Sequence, residues 1–235
     1  MNWNKITLGK FQQLEEINNR NLSDLDRALF SACIIFDKTE YELDNTEPKK
    51  VLRLTNQLRK IFEKPINPVP YKKIGRYFIN YDLSKITFGQ YIELAFFLNK
   101  PVMNAHYILA TLSNQWLRQN KASEHRRKAN YFLTQSVTKI VGSLQRITEA
   151  FQAFNNEYKS LFGLDKEVTG DVEEDRFNKR YGWIYSAEQV AKYEGKSMED
   201  TFSLPVRQAF NDLAYLKAKA KYEVEQLKKS HKSNA

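Results

Sequence analysis

Few residues of this chain could do chemistry, and their spacing does not bring them together. Histidine stands at His106, His125 and His231, and none has a carboxylate and a second histidine at the spacing by which a helix presents ligands to zinc. Cys33 is the single cysteine, which excludes an internal disulfide and a cysteine-based zinc site. Set between Ala32 and Ile34, it reads as a buried inert thiol rather than a nucleophile. Asp171, Glu173, Glu174 and Asp175 superficially resemble a calcium loop, but the glycine and closing glutamate of that pattern are missing, so a solvated loop is expected. His106, near Met103 and Ile108, reads as a core or interface residue rather than a general base. No Gly-rich phosphate loop, nucleophile elbow or kinase motif is present. The sequence therefore predicts a non-enzymatic chain with no catalytic residue, no metal ligand and no cofactor.

Binding chemistry is better supplied. Residues 49 to 76 hold nine Lys or Arg against Glu63 alone, whereas residues 13 to 47 hold nine acids against three bases. Lys49, Lys50, Arg53, Arg59, Lys60, Lys72, Lys73 and Arg76, with Tyr71, Tyr77, Phe78 and Tyr81 nearby, are a candidate contact set for nucleic acid: cations for phosphates, rings for bases. No zinc pattern or aromatic RNA-binding signature accompanies them, and solvated helix faces are the plainer reading. A second basic set, Lys217, Lys219, Lys221, Lys228, Lys229 and Lys232, is partly paired with Glu223 and Glu225 at helical spacing. Aromatic residues make up 13% of the chain, and Phe177, Tyr181, Trp183 and Tyr185 cluster within nine positions. With Arg180 they form the kind of anchor set that dominates protein interfaces; Trp183 reads equally as a plug between two helices.

The elements that must carry these residues are helices. With 235 residues, 42% apolar and 28% charged, the chain can bury a core, and eight Gly and six Pro are too few for a turn-dense all-β fold. No apolar run is longer than that of Leu94 to Leu98, far short of the roughly 20 residues that span a bilayer. Met1 to Lys5 lacks the apolar stretch of a secretory signal, and a reducing, intracellular setting is expected. Ile6-Thr7-Leu8-Gly9-Lys10-Phe11 and Leu14 recur as Ile86-Thr87-Phe88-Gly89-Gln90-Tyr91 and Leu94, which reads either as duplication of a helix-pair unit or as two helices that share a cap by chance. At the same offset Leu22 aligns with Val102, Leu29 with Leu109 and Phe36 with Trp116. Each copy reads as a helix start, with Thr87 and Gln90 forming a capping box. Glycine in a first helical turn is unfavourable, so a close backbone neighbour is expected at Gly9 and Gly89.

Pro48 opens a helix whose apolar face is Val51, Leu54, Leu58, Ile61 and Phe62, and Pro65, Pro68 and Pro70 predict a linker between two lobes. Around residues 74–82 a short extended stretch is expected, without a strand of equal strength to pair with it. Leu133, Val137, Ile140, Leu144, Ile147, Phe151, Phe154, Tyr158 and Leu161 step by four and three, a heptad seam that wants a helical partner, either inside a compact bundle or in an extended helical hairpin or a second chain. It predicts one helix over 123–162, which Gly142 could bend. A loop is expected over 163–175. Thereafter Ser186 with Gln189, and Ser197 with Asp200, predict helix starts, Gly195 a stop, and Pro205 the start of a final helix with the stripe Val206, Phe210, Leu213, Ala220, Val224 and Leu227.

The strings Ile86 to Leu94, Arg180 to Ser186, Leu204-Pro205 and Asn211 to Lys219 resemble those of small helical proteins of tailed phages infecting Bacteroidota, including crAss-like phages, and the likeness spans most of residues 80 to 230. It implies a virion or tail-assembly role: a tail component, a tail chaperone or a packaged cargo protein. It also implies other virion or tail proteins as partners, and residence in the virion or in host cytoplasm during assembly. No catalytic residues carry over. The sequence reading is thus an all-α protein of two unequal helical lobes with long antiparallel helices: an N-terminal lobe over 1–64, a linker with a short extended segment over 65–82, a main lobe over 83–230 and a polar tail. It is expected to be a homo-oligomer or part of a multi-copy assembly. Leu144, Phe151, Phe154, Tyr158, Tyr181, Trp183 and Tyr185 are the expected protein interface, and nucleic-acid binding is the alternative.

Overall fold

The computed structural model describes residues 2–114, 122–159, 161 and 172–233. The fold is all-α. The helices in chain order are α1 (Leu8–Asn18), α2 (Asp24–Phe36), α3 (Glu40–Asp44), α4 (Pro48–Phe62), α5 (Phe88–Phe97), α6 (Ala105–Leu112), α7 (Ala122–Leu133), α8 (Val137–Glu157), α9 (Val172–Glu194), α10 (Met198–Phe202) and α11 (Val206–Ser233). A small antiparallel sheet of β1 (Lys73–Ile74), β2 (Tyr77–Ile79) and β3 (Ser113–Asn114) pairs Ile74 with Tyr77 and Ile79 with Ser113. The extended stretch therefore does have partners. They are two-residue strands, too short for any alternation to mark them in sequence. Gly75, at φ +58°, supplies the left-handed turn of the hairpin.

The chain forms two compact units. One is Met1–Asn80 with Phe97–Ile147, the other Tyr81–Phe96 with Thr148–Ala235, so each is discontinuous in sequence. The Pro-rich segment lies inside the first unit. Its Val69 backbone lies flush on α8, where a Cβ at Gly142 would collide with Val69 N, C and O, and the Tyr71 amide donates to Ser143 Oγ at 3.2 Å. Gly142 is needed for this close approach.

The repeat is structural, and one device is built twice. In the first unit a 3-10 turn (Trp3–Lys5) leads to Thr7, which forms an isolated antiparallel bridge with Ser136. The Leu8 amide donates to Gln135 O at 2.8 Å and the Val137 amide donates to Ile6 O at 2.9 Å, so α1 and α8 start side by side. In the second unit Leu83–Lys85 leads to Thr87, bridged to Pro205, with Phe88 N donating to Leu204 O at 2.8 Å and Val206 N to Ile86 O at 3.0 Å. Each bridge spends the amides of the residues that open the helices, groups that a helix otherwise leaves without partners. It also explains the glycines. A Cβ on Gly9 would meet Leu133 O at 3.4 Å, and one on Gly89 would meet Phe202 O at 3.1 Å, the equivalent carbonyl three residues before each bridge. The α2 and α6 spans follow the same offset; Trp116, aligned with Phe36, lies outside the described residues.

The bridge at Ser136 also breaks the predicted long helix. Residues 134–136 leave helical pairing to serve α1, so the heptad seam is shared between α7 and α8, and Tyr158 and Leu161 fall beyond α8. Other boundaries follow their chemistry. Gln90 N donates to Thr87 Oγ1 at 3.2 Å while Gln90 Oε1 accepts from Thr87 N at 3.0 Å, completing the capping box. Asp200 N donates to Ser197 Oγ at 3.1 Å, and Gly195 at φ +63° ends α9. Ser186 starts no helix: it lies within α9, its hydroxyl donating to Gly182 O at 2.8 Å, one turn back. Helix α9 begins at Val172, inside the span expected to be a loop, while 163–171 lies outside the described residues.

Two cores result. In the first unit Ile6, Leu14, Ala32, Ile35, Leu43, Leu58, Ile61 and Val137 are buried together, with Trp3 packed against them. In the second, the core is aromatic: Tyr91 lies within 4.8 Å of Phe210, 5.2 Å of Phe151, 5.5 Å of Trp183 and 5.8 Å of Phe154, ring centre to ring centre. Ring pairs in edge-on and offset geometries contribute about 0.5–1.5 kcal/mol each beyond burial.

Candidate protein-docking site

Burial separates the expected interface residues. Phe154 is buried in the aromatic core, Phe151 stacks on Tyr91, and Tyr158 lies 5.0 Å from Phe210 with its hydroxyl donating to Asn211 Oδ1 at 3.2 Å. Leu144 is buried in the first unit. Trp183 is half-buried, its ring edge-on to Phe88 and Tyr91, which is the plug position. The heptad seam is therefore largely spent inside the chain, because the same four-three spacing serves an intramolecular partner as well as an external one. Tyr91 donates its hydroxyl to Asn155, and burial pushes its phenol well above the ordinary value despite that bond.

Of the expected interface and the final helix's stripe, what remains outward lies on α9 and α11. Tyr181, Ile184, Tyr185 and Tyr193 are exposed on α9, the Arg180 guanidinium sits 5.2 Å above the Tyr181 ring, and Ala187, Val190 and Ala191 turn inward. Between α9 and α11 runs a groove of about 600 Å³, lined chiefly by Leu161, Trp183, Tyr185, Leu213, Leu216 and Ala220. The sequence pattern singled out Leu161, Trp183, Tyr185, Leu213 and Ala220 but not the groove residue Leu216, nor the exposed Ile184 beside it. Both are recoverable, Leu216 at one turn from Leu213 and Ala220, Ile184 at one turn from Tyr181.

Helix α11 changes character along its length. Val206, Ala209 and Phe210 are fully buried, whereas every residue from Lys217 to Ser230 is exposed. Leu213, Leu216, Ala220, Val224 and Leu227 nevertheless keep one face, so the groove floor continues onto a stripe where Val224 is 49% and Leu227 61% exposed. On one flank of the stripe stand Lys217, Lys221 and Lys228. On the other, Lys219 pairs with Glu223 at 3.9 Å.

The eight basic residues of the alternative site are all exposed, but on separate elements of the first unit: Lys49, Lys50, Arg53, Arg59 and Lys60 on α4, and Lys72, Lys73 and Arg76 on and around the β1–β2 hairpin. Part of the charge is compensated, Lys50 by Glu47 at 3.7 Å and Arg59 by Glu63 at 3.2 Å. Lys73 Nζ covers the Phe78 ring at 5.0 Å, and Arg76 lies 5.1 Å from Tyr77 and 5.0 Å from Tyr131, so the cations are partly spent on the chain's own rings. Tyr77 is fully buried and unable to stack on a base.

Among the described residues no group of three His, Cys, Asp or Glu is placed to hold a metal ion, and no helix is long and apolar enough to cross a membrane. Burial raises the Cys33 thiol, with Glu40 adding to the effect. Burial lowers His106, and the neighbouring His125 adds to it. His106 Nδ1 lies 3.2 Å from Gln12 Nε2, which donates to Val102 O and Met103 O at 2.9 Å each. No protein-family model, curated protein or solved structure matches the chain.

Proposed function

We propose that this protein is a non-enzymatic virion or tail-assembly protein of a tailed phage, working through helical protein-protein interfaces in a multi-copy particle. The observation that carries the docking part of this reading is the apolar groove between α9 and α11, with its exposed continuation along α11. A contiguous apolar face left open to water marks an interaction site. Its position on helix faces suits docking of another helix. The phage assignment rests on the resemblance of residues 86–94, 180–186 and 211–219 to phage proteins. Mass spectrometry of purified particles and of assembly intermediates from infected cells tests it. The chain is expected in one or both at reproducible stoichiometry, and its absence from both would overturn the reading.

A further inference from the structure

We propose that the apolar stripe of distal α11, continuous with the α9–α11 groove, docks an acidic amphipathic helix of a partner protein. The proposal rests on the docking reading above and names the chemistry of its occupant. The stripe supplies the shape: Leu213 and Leu216 in the groove, then Ala220, Val224 and Leu227 on the exposed stretch, offer apolar contacts at helical spacing over about four turns. A helix exposed on all sides over 217–230 retains such a stripe to no benefit of its own core, since none of those side chains is buried.

Charge selects the occupant. The segment 217–230 holds five lysines against Glu223 and Glu225, and Lys217, Lys221 and Lys228 line one edge of the stripe. Two copies of the chain paired along this stretch would set two net positive helices against each other, and like charges flanking a helix seam oppose pairing. A helix with Glu or Asp at its flanking positions turns the same lysines into attractive partners and steers the encounter. Lys217 already reaches back to Leu161 O at 3.4 Å, which leaves Lys221 and Lys228 as the principal flank cations.

The probe is a labelled synthetic peptide of about three heptads with Leu at the two seam positions and Glu at the flanks, compared with the same peptide carrying Lys there. With the full chain, fluorescence anisotropy should show the Glu peptide binding at least about tenfold more tightly than the Lys peptide, with the difference shrinking as salt rises. Leu227→Glu and Val224→Glu alter exposed positions and should keep the helical circular dichroism while weakening the Glu peptide by about tenfold or more. Lys221→Glu with Lys228→Glu should reverse the peptide preference. Equal binding of the two peptides, no binding of either, or binding indifferent to Leu227→Glu overturns the proposal, as does a stable dimer in analytical ultracentrifugation that Leu227→Glu dissolves. Failure here leaves the particle mass spectrometry untouched, and a chain missing from particles yet selective for the Glu peptide would sink the phage reading alone.

Discussion

The two bridged helix starts use the same backbone bonds but surround them differently. Around Thr7 and Ser136 the fully buried neighbours are aliphatic, with Trp3, Phe11 and Phe36 only partly buried at the margin, and Leu133 stands off Gly9 at ordinary contact distance. Around Thr87 and Pro205 they are rings: Phe88 lies 6.1 Å from Phe210, 6.3 Å from Trp183 and 6.5 Å from Phe202, and the Phe202 carbonyl presses closer to Gly89. The pairing of backbones is thus independent of which side chains fill the space beside it. In both copies the bonds are made by the residues either side of the bridge, so the bridging residue's own amide is not required. That is why one copy can carry proline where the other carries serine.

The largest expected loss in each copy is at the buried side chain that opens its helix. Phe88→Ala should cost about 3–5 kcal/mol in urea unfolding and Leu8→Ala about 2–5 kcal/mol, with the ring losing more because it leaves the larger cavity. Equal losses would mean that the ring cluster relaxes around the hole. Next come the glycines. Gly89→Ala should destabilise by about 1–2 kcal/mol because its Cβ would sit 3.1 Å from a backbone carbonyl. Gly9→Ala should be neutral or stabilising by up to about 0.5–1 kcal/mol, since the helix gains a better former without a clash. A reversed order would break the comparison.

A third difference is pH. Gln12 ties α1 to the Val102 and Met103 carbonyls beside His106, while the aligned residue in the second copy is Ile92. The folded state holds His106 below its ordinary value, so the unfolded chain binds the extra proton first. Stability from this site is complete well above the unfolded value of about 6.5 and is lost progressively as pH falls through it towards the lower folded value. His106→Gln should flatten that decline in thermal melts between neutral pH and pH 5. A slope unchanged by the substitution would remove His106 from the account. The smallest effect is expected from Ser136→Pro, which installs the second copy's residue in the first and should change stability by less than about 1 kcal/mol. A large loss would show that the Ser136 hydroxyl, 2.9 Å from Thr138 Oγ1, contributes more than the bridge itself.

Much of the helical framework was legible because its signals are local. Thr87 with Gln90, Ser197 with Asp200, Pro48 and Gly195 each satisfy or terminate backbone groups within one turn, and each does so in the fold. The repeat too was readable from Ile-Thr-x-Gly, and the crowding expected at its glycines is strongest at Gly89. What escaped was non-local. The interruption at 134–136 is invisible to heptad counting, because Leu133 and Val137 keep the four-residue step across it, and only the distant Thr7 explains it. The hairpin escaped because its strands are paired by Gly75 and Ser113 rather than by pattern. The candidate interface was legible by residue type but not by direction: Tyr181 and Tyr185 face out, whereas Phe154 and Trp183, of equal aromatic weight, turn to the core.

The meeting of Val69 with Gly142 has a mechanical consequence. A main chain held against a helix at zero clearance cannot swing, so the three prolines work as a rivet rather than a tether. A cut between Pro65 and Pro68 would leave Val69 and Gly142 on one fragment, and the other would stay clamped to it by the Thr7–Ser136 bridge and the core that joins Ile6 to Val137.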